Sequence, residues 1–318
     1  MTATTTSRPD ARPSTRDLLT RPDTRRRAVD RLMAVVVTSA FLVALVPLVS
    51  VIWTVLGNGI ERLSPYFLAV SMRGVFGGMD AGGIYHAIVG TLMVTGFATL
   101  ISVPVGLLTA IYLVEYGQRR LARAVTFFVD VMTGIPSIVA GLFAYALFAI
   151  FFGPGVRFGV VGAVALSVLM TPVVVRSSEE MLRLVPNELR EAAYALGVPK
   201  WLTIVKVVLR TAVGGIVTGV MLAIARVIGE TAPLLITLGV IDSINYNLFE
   251  GRMMTLPVYV FRQYSQGLVP CAPEAADCIA TINYDRAWAA ALVLIAIVML
   301  LNLGARLIAR YFTPARGH

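Results

Sequence analysis

The chain has 318 residues, of which 57% are hydrophobic and only 14% charged, with a mean hydropathy of +0.80 and a formal net charge of +9. So few charges exclude an ordinary soluble domain, in which roughly a quarter of residues are charged. The long uninterrupted apolar runs exclude a membrane β-barrel, whose strands alternate. Nor does the positive charge mark a nucleic-acid-binding face, because the Lys and Arg residues lie in tails and loops that flank apolar segments.

In chain order, residues 1–30 are polar, proline-containing and arginine-rich, and are expected to form a disordered cytoplasmic tail. The apolar run after Arg31 is much longer than the h-region of a cleaved signal peptide, roughly 7–15 residues, so the first helix is expected to stay. Residues 31–311 then form a transmembrane domain with spans near 32–56, 86–114, 124–152, 159–181, 211–241 and 287–309. Each reaches the about 20 apolar residues that cross a hydrocarbon core. The predicted fold class is an all-α polytopic membrane protein with about six transmembrane helices. Between spans four and five lies a polar loop, 183–210; an outside loop, 242–286, joins spans five and six, and 312–318 is a short cytoplasmic tail.

Orientation follows from charge. With the N-terminus inside, the cytoplasmic segments hold Arg25, Arg26, Arg27, Arg119, Arg120, Arg123, Arg183, Arg190, Lys200, Lys206 and Arg210, which is the positive-inside bias of an N-in, C-in chain. The two cysteines, Cys271 and Cys278, both fall in the outside loop; an oxidising exterior would let them pair, and two free thiols are the alternative.

The 183–210 loop is patterned as a helix, a sharp turn and a second helix. Pro186 suits a first helical turn, Leu189, Ala192, Ala193 and Leu196 recur at three and four, and Gly197 suits a left-handed cap. The small residues on this face permit close approach by a partner surface, as in helix-in-groove recognition; an interfacial helix on the membrane is the alternative.

Glu191-Ala192-Ala193, then Gly197, then Val207 and Leu209 resemble the EAA loop of permeases of ATP-binding-cassette importers, the coupling helix that docks on a cytoplasmic ATPase. Arg210 stands where that family usually has proline, which leaves open how the second helix ends before span five. Further blocks, GGIYHAIVGTL at 82–92, PVGLLTAIYLVEYG at 104–117, GIPSIVAGLF at 134–143, LMTPVVVRSSEEML at 169–182 and ARVIGETAPLL at 225–235, resemble phosphate permeases of the PstA type. The resemblance implies a permease fold working by alternating access, with coupling residues Glu191, Ala192, Ala193, Leu196 and Gly197.

Charges inside a span cost at least ~2.5 kcal/mol each at the helix centre, so they persist where they pair or line a wet path. Arg226 and Glu230 stand four apart in span five, ahead of Thr231 and the helix-weakening Pro233, and Arg176 ends span four beside Glu179 and Glu180. Arg226, Glu230, Thr231 and Arg176 are therefore the candidate substrate-path residues. A guanidinium stays charged when partly desolvated and meets oxyanions in bidentate geometry. The alternatives are an Arg226–Glu230 ion pair that only fastens helices, and an Arg176 that only anchors the inner end of its span. Gly215 and Gly219 give small-xxx-small packing, and Pro136 is expected to kink span three.

No GxxxxGK[ST] loop, HExxH, GxSxG or Cys/His metal pattern occurs, so ATP hydrolysis is expected in a separate subunit. The chain is expected to be non-catalytic and to bind no cofactor or metal, with ATP and Mg held by the partner. The resemblance implies two ATPase subunits, a second homologous permease of the PstC type and an extracytoplasmic phosphate-binding protein. A permease for sulfate or molybdate, a proton-coupled secondary transporter and a phosphate-sensing scaffold remain as alternatives.

Overall fold

The computed structural model describes residues 24–117, 119–271 and 277–312. The predicted tails fall mostly outside these, residues 1–23 and 313–318 entirely so. The chain divides into two compact units, one up to Thr54 and one from Val55. The described part of the first is helical: α1 runs Thr24–Gly59, so the helix begins six positions before the predicted end of the tail at residue 30. Once an apolar span has nucleated a helix, extending it through Thr24–Asp30 fixes one residue per added hydrogen bond, which arginine and alanine tolerate well. From Leu32 to Trp53 its large apolar side chains except Leu45 are exposed, Trp53 by 79%, the pattern of a helix solvated by lipid.

The second unit is built around α6, Gly159–Arg183, whose apolar window is 67% buried against 22% for each of the other spans, α3 (Tyr85–Tyr116), α8 (Lys200–Val227) and α11 (Ile282–Phe312). α6 carries small or β-branched residues on several faces, and neighbours pack on each of them. On one face Ser102 of α3 donates to the carbonyl of Ser167 at 3.3 Å. On another, Gly215 and Gly219 of α8 approach Met181 and Ser177, the close helix contact predicted for them. The shared core includes Val94 and Ala98 of α3, Leu166, Met170 and Val174 of α6, and Ala223 and Val227 of α8.

Predicted span three is two helices. α4 (Arg119–Thr133) and α5 (Ser137–Phe152) meet at 108° across Gly134–Pro136, far more than a kink. Pro136 lacks an N–H and disfavours helical backbone at Ile135, so the ladder cannot continue. Among the described residues, five helices are long and apolar enough to cross a membrane, or six if this bent pair is one span.

Predicted span five, 211–241, is also divided. α8 ends at Val227, and a separate turn, α9 (Ala232–Thr237), follows with Pro233 near its start. At its other end α8 runs without a break from Lys200 through a π turn at Ile204–Val208 and past Arg210, so the second helix of the polar loop and the span are one helix. The residue type at 210 is consistent with this, since arginine is a good helix former where proline is not.

The outside loop 242–286 is more ordered than its composition implies. It contains α10, Leu256–Gln266, and α11 already begins at Ile282. The backbone N–H of Leu256 donates to Thr91 Oγ1 of α3 at 2.8 Å, burying Met253, Met254 and Tyr259. Nearer its end, Cys271 and Cys278 form a disulfide with a Cα–Cα distance of 5.7 Å. Cys278 pairs with Met79 in an isolated bridge, and Arg286, 2% exposed, donates to the carbonyls of Met79 at 2.7 Å and Ala81 at 2.8 Å. This loop therefore clamps the segment between the short helix α2 (Pro65–Ala69) and α3.

Candidate functional site

Arg226 lies one residue before the end of α8, on an exposed stripe with Thr211, Thr218 and Leu222. Its neighbours Ala223 and Val227 face the core, so the helix turns the guanidinium away from α6. Among the described residues it makes no hydrogen bond or ion pair. An unpaired arginine facing lipid would be costly. Glu230 is half-buried beyond the helix end, its N–H donating to the Val227 carbonyl at 3.1 Å. The helix having ended, Arg226 and Glu230 do not stack one turn apart as predicted, and no ion pair links them. Thr231 caps the next turn, its carbonyl accepting from Leu235 at 3.0 Å.

Arg176 is different. It is paired with Asp130 of α4 and, at 2.9 Å, with Glu179, which holds Arg183 at 2.7 Å. Two arginines and two carboxylates neutralise each other and tie α4 to α6. No hydrogen bond or ion pair joins this network to Arg226, Glu230 or Thr231. Asp130, which sits in a sequence of no obvious motif, is the partner that sequence reasoning missed; the two are 46 positions apart.

Two sequence blocks meet at the helix break. Gly141 of α5 lies so close to α9 that a Cβ there would be 2.6 Å from Pro233 Cα, a backbone atom that cannot swing aside. Gly141→Val is expected to separate α5 from α9 and to lower the amount of assembled, detergent-stable protein, measured by size-exclusion chromatography; an unchanged yield and melting profile would contradict the close approach. Large-for-small changes in packed sites cost about 1–3 kcal/mol or more.

At the opposite end, α7 (Asn187–Ala195) forms the first helix of the polar loop. It closes in a Schellman motif, with the Gly197 N–H on the Tyr194 carbonyl at 2.9 Å and the Val198 N–H on the Ala193 carbonyl at 3.1 Å. Gly197 has φ +76°, which only glycine adopts freely. Of the predicted coupling residues, Ala193 is buried against the chain, whereas Glu191, Ala192, Gly197 and Leu196, the last 84% exposed, face outward. The surface thus presented is small, apolar and rimmed by charge, a shape that suits insertion into a groove.

Residues 102–318 match the family of binding-protein-dependent transport system inner membrane components. The chain belongs to this family. It is 47% identical to the phosphate transport system permease protein PstA 1 of Mycobacterium tuberculosis over 291 residues, covering 91% of each chain. It is 36% identical to PstA of Pasteurella multocida over 285 residues, 89% of this chain and 95% of that one. Among solved structures, a permease of a bacterial alginate ABC transporter superposes with a TM-score of 0.62 at 15% identity, covering 91% of this chain and 98% of that one. The MetNI methionine ABC transporter gives 0.54 at 20% identity, covering 79% and 100%. These permeases share the fold. The chain is accordingly a multi-pass transport permease of the cytoplasmic membrane, and membership of the family implies an ATPase and a substrate-binding protein as partners.

Proposed function

We propose that this chain is one transmembrane subunit of an ATP-driven importer of inorganic phosphate, paired with a second homologous permease of the PstC type, two ATPase subunits and an extracytoplasmic phosphate-binding protein. The observation that carries the substrate is the similarity to PstA proteins along nine-tenths of the chain. ATP and Mg are held by the ATPase subunits, and this chain supplies neither catalysis nor a bound cofactor. α7 docks on the ATPase through Glu191, Ala192, Ala193, Leu196 and Gly197. Because α8 continues from the Gly197 turn for 28 residues, about 42 Å, a displacement of the docked helix is carried along one rigid element to Arg226 at its far end.

Arg226 contacts the anion in transit. Glu230 and Thr231 line the break beside it, where a helix interrupted at membrane depth is tolerated because it borders a cavity. Arg176, already neutralised, lies beside the path as a helix fastener more than as a ligand. Weak contact by one free arginine suits transport, since a site too favourable to leave would stop the cycle. Uptake of labelled phosphate and labelled sulfate, each at limiting concentration, tests the proposal in cells with and without this chain. Selective loss of phosphate uptake is expected; selective loss of sulfate uptake, or loss of neither, would overturn it.

A further inference from the structure

Glu115 and Tyr116 end α3 in a π turn, Tyr112–Tyr116, and both helices of the 183–210 hairpin grip that turn. From α7, Arg190 makes an ion pair with Glu115, its Nε and Nη2 each 3.0 Å from Oε1, in which the side chains are 12% and 5% exposed. Its remaining donors reach the carbonyls at the end of α6, Val185 at 2.6 Å and Leu182 at 3.0 Å, and Asn187 Oδ1 at 3.2 Å. Each guanidinium nitrogen is thereby used. From α8, the Lys200 ammonium donates to the Glu115 backbone carbonyl and lies 4.5 Å from the centre of the Tyr116 ring.

We propose that Arg190 is a positioning residue for coupling: with Glu115 it locks α7 to the inner ends of α3 and α6, so that a push on α7 moves three helices together. The proposal rests on α7 being the ATPase-docking helix. A planar fork fits this role and an ammonium does not, because five contacts in fixed directions require several coplanar donors. Burial adds to the need for both partners, since either charge left alone in so enclosed a site is strongly disfavoured. π turns are uncommon and recur at functional sites, and here one forms the socket while a second, Ile204–Val208, begins four residues after Lys200.

The test uses the assembled importer in proteoliposomes and reads phosphate transported per ATP hydrolysed. Glu115→Gln, Arg190→Lys and the double variant are each expected to lower that ratio by at least about tenfold while ATP hydrolysis continues, with the double variant no worse than the worse single one. A docking variant, Leu196→Asp, is measured alongside. If Leu196→Asp uncouples and the Glu115 and Arg190 variants retain the wild-type ratio, or if their losses multiply, the positioning role is overturned and the docking assignment stands. If Leu196→Asp keeps wild-type coupling, the docking assignment itself fails. Should even Glu115→Gln prevent assembly, the pair is a folding element and the positioning role is likewise overturned.

Discussion

Replacing Arg226 by alanine is expected to reduce ATP-driven phosphate uptake by roughly 10- to 100-fold while leaving the complex assembled, because a hydrogen bond to a charged group contributes about 1.5–3 kcal/mol. Assembly should survive, since the side chain is exposed and makes no hydrogen bond or ion pair among the described residues. The same exposure separates it from Arg176, whose loss would break ion pairs to Asp130 and Glu179 and is expected to act through helix packing. Arg226→Lys keeps the charge but not the planar fork, so partial uptake with a raised half-saturation concentration is expected. The measurement is labelled uptake together with co-purification of the subunits. An assembled Arg226→Ala complex with wild-type uptake would remove this residue from the path.

Gly197→Val should produce the second large effect, separating ATP hydrolysis from transport. At φ +76° a β-branched side chain meets its own backbone, at a cost of about 1–2 kcal/mol, and the Schellman closure between Ala193, Tyr194 and Gly197 is lost with it. α7 would then no longer be held at a defined angle to α8, and the displaced surface is the one presenting Leu196. Hydrolysis that persists while uptake falls at least about tenfold is the expected outcome, read from ATPase activity and uptake in the same vesicles. Normal coupling in this variant would show that the turn geometry is dispensable. Glu191→Lys tests the exposed face without touching the turn, and is expected to weaken co-purification of the ATPase.

How much of this was legible in the sequence differs between elements. Length and hydropathy sufficed for the long helices, because burial of an apolar run of about 20 residues in lipid overrides local propensity. The helix–turn–helix of the 183–210 loop was legible too, since its cap, turn and amphipathic spacing are local signals carried by Pro186, Gly197 and the alanines between them. The same spacing rule failed at Arg226 and Glu230, where it assumed a helix that the structure ends at Val227. α10 was missed because LPVYVF is too short to span and lies among polar residues; only its contact with Thr91 of α3 shows why it is buried.

By itself the sequence determined an all-helical membrane chain and a local helix–turn–helix at 183–210, and its arginine distribution predicts the orientation. Each of these depends on composition or on residues a few positions apart. The tertiary structure alone decided which charges are free and which are spent. Asp130 neutralises Arg176 from 46 positions away, and Glu115 receives Arg190 from 75. The structure likewise decided that predicted spans three and five are broken, and that α8 is one unbroken helix from Lys200, just after the Gly197 turn, to Val227 beside Arg226. Pairing, breakage and leverage depend on where separate helices come to lie, and in a chain whose helices are all driven by the same bilayer solvation, only packing of small residues such as Gly141, Ser102 and Gly219 against specific neighbours decides that.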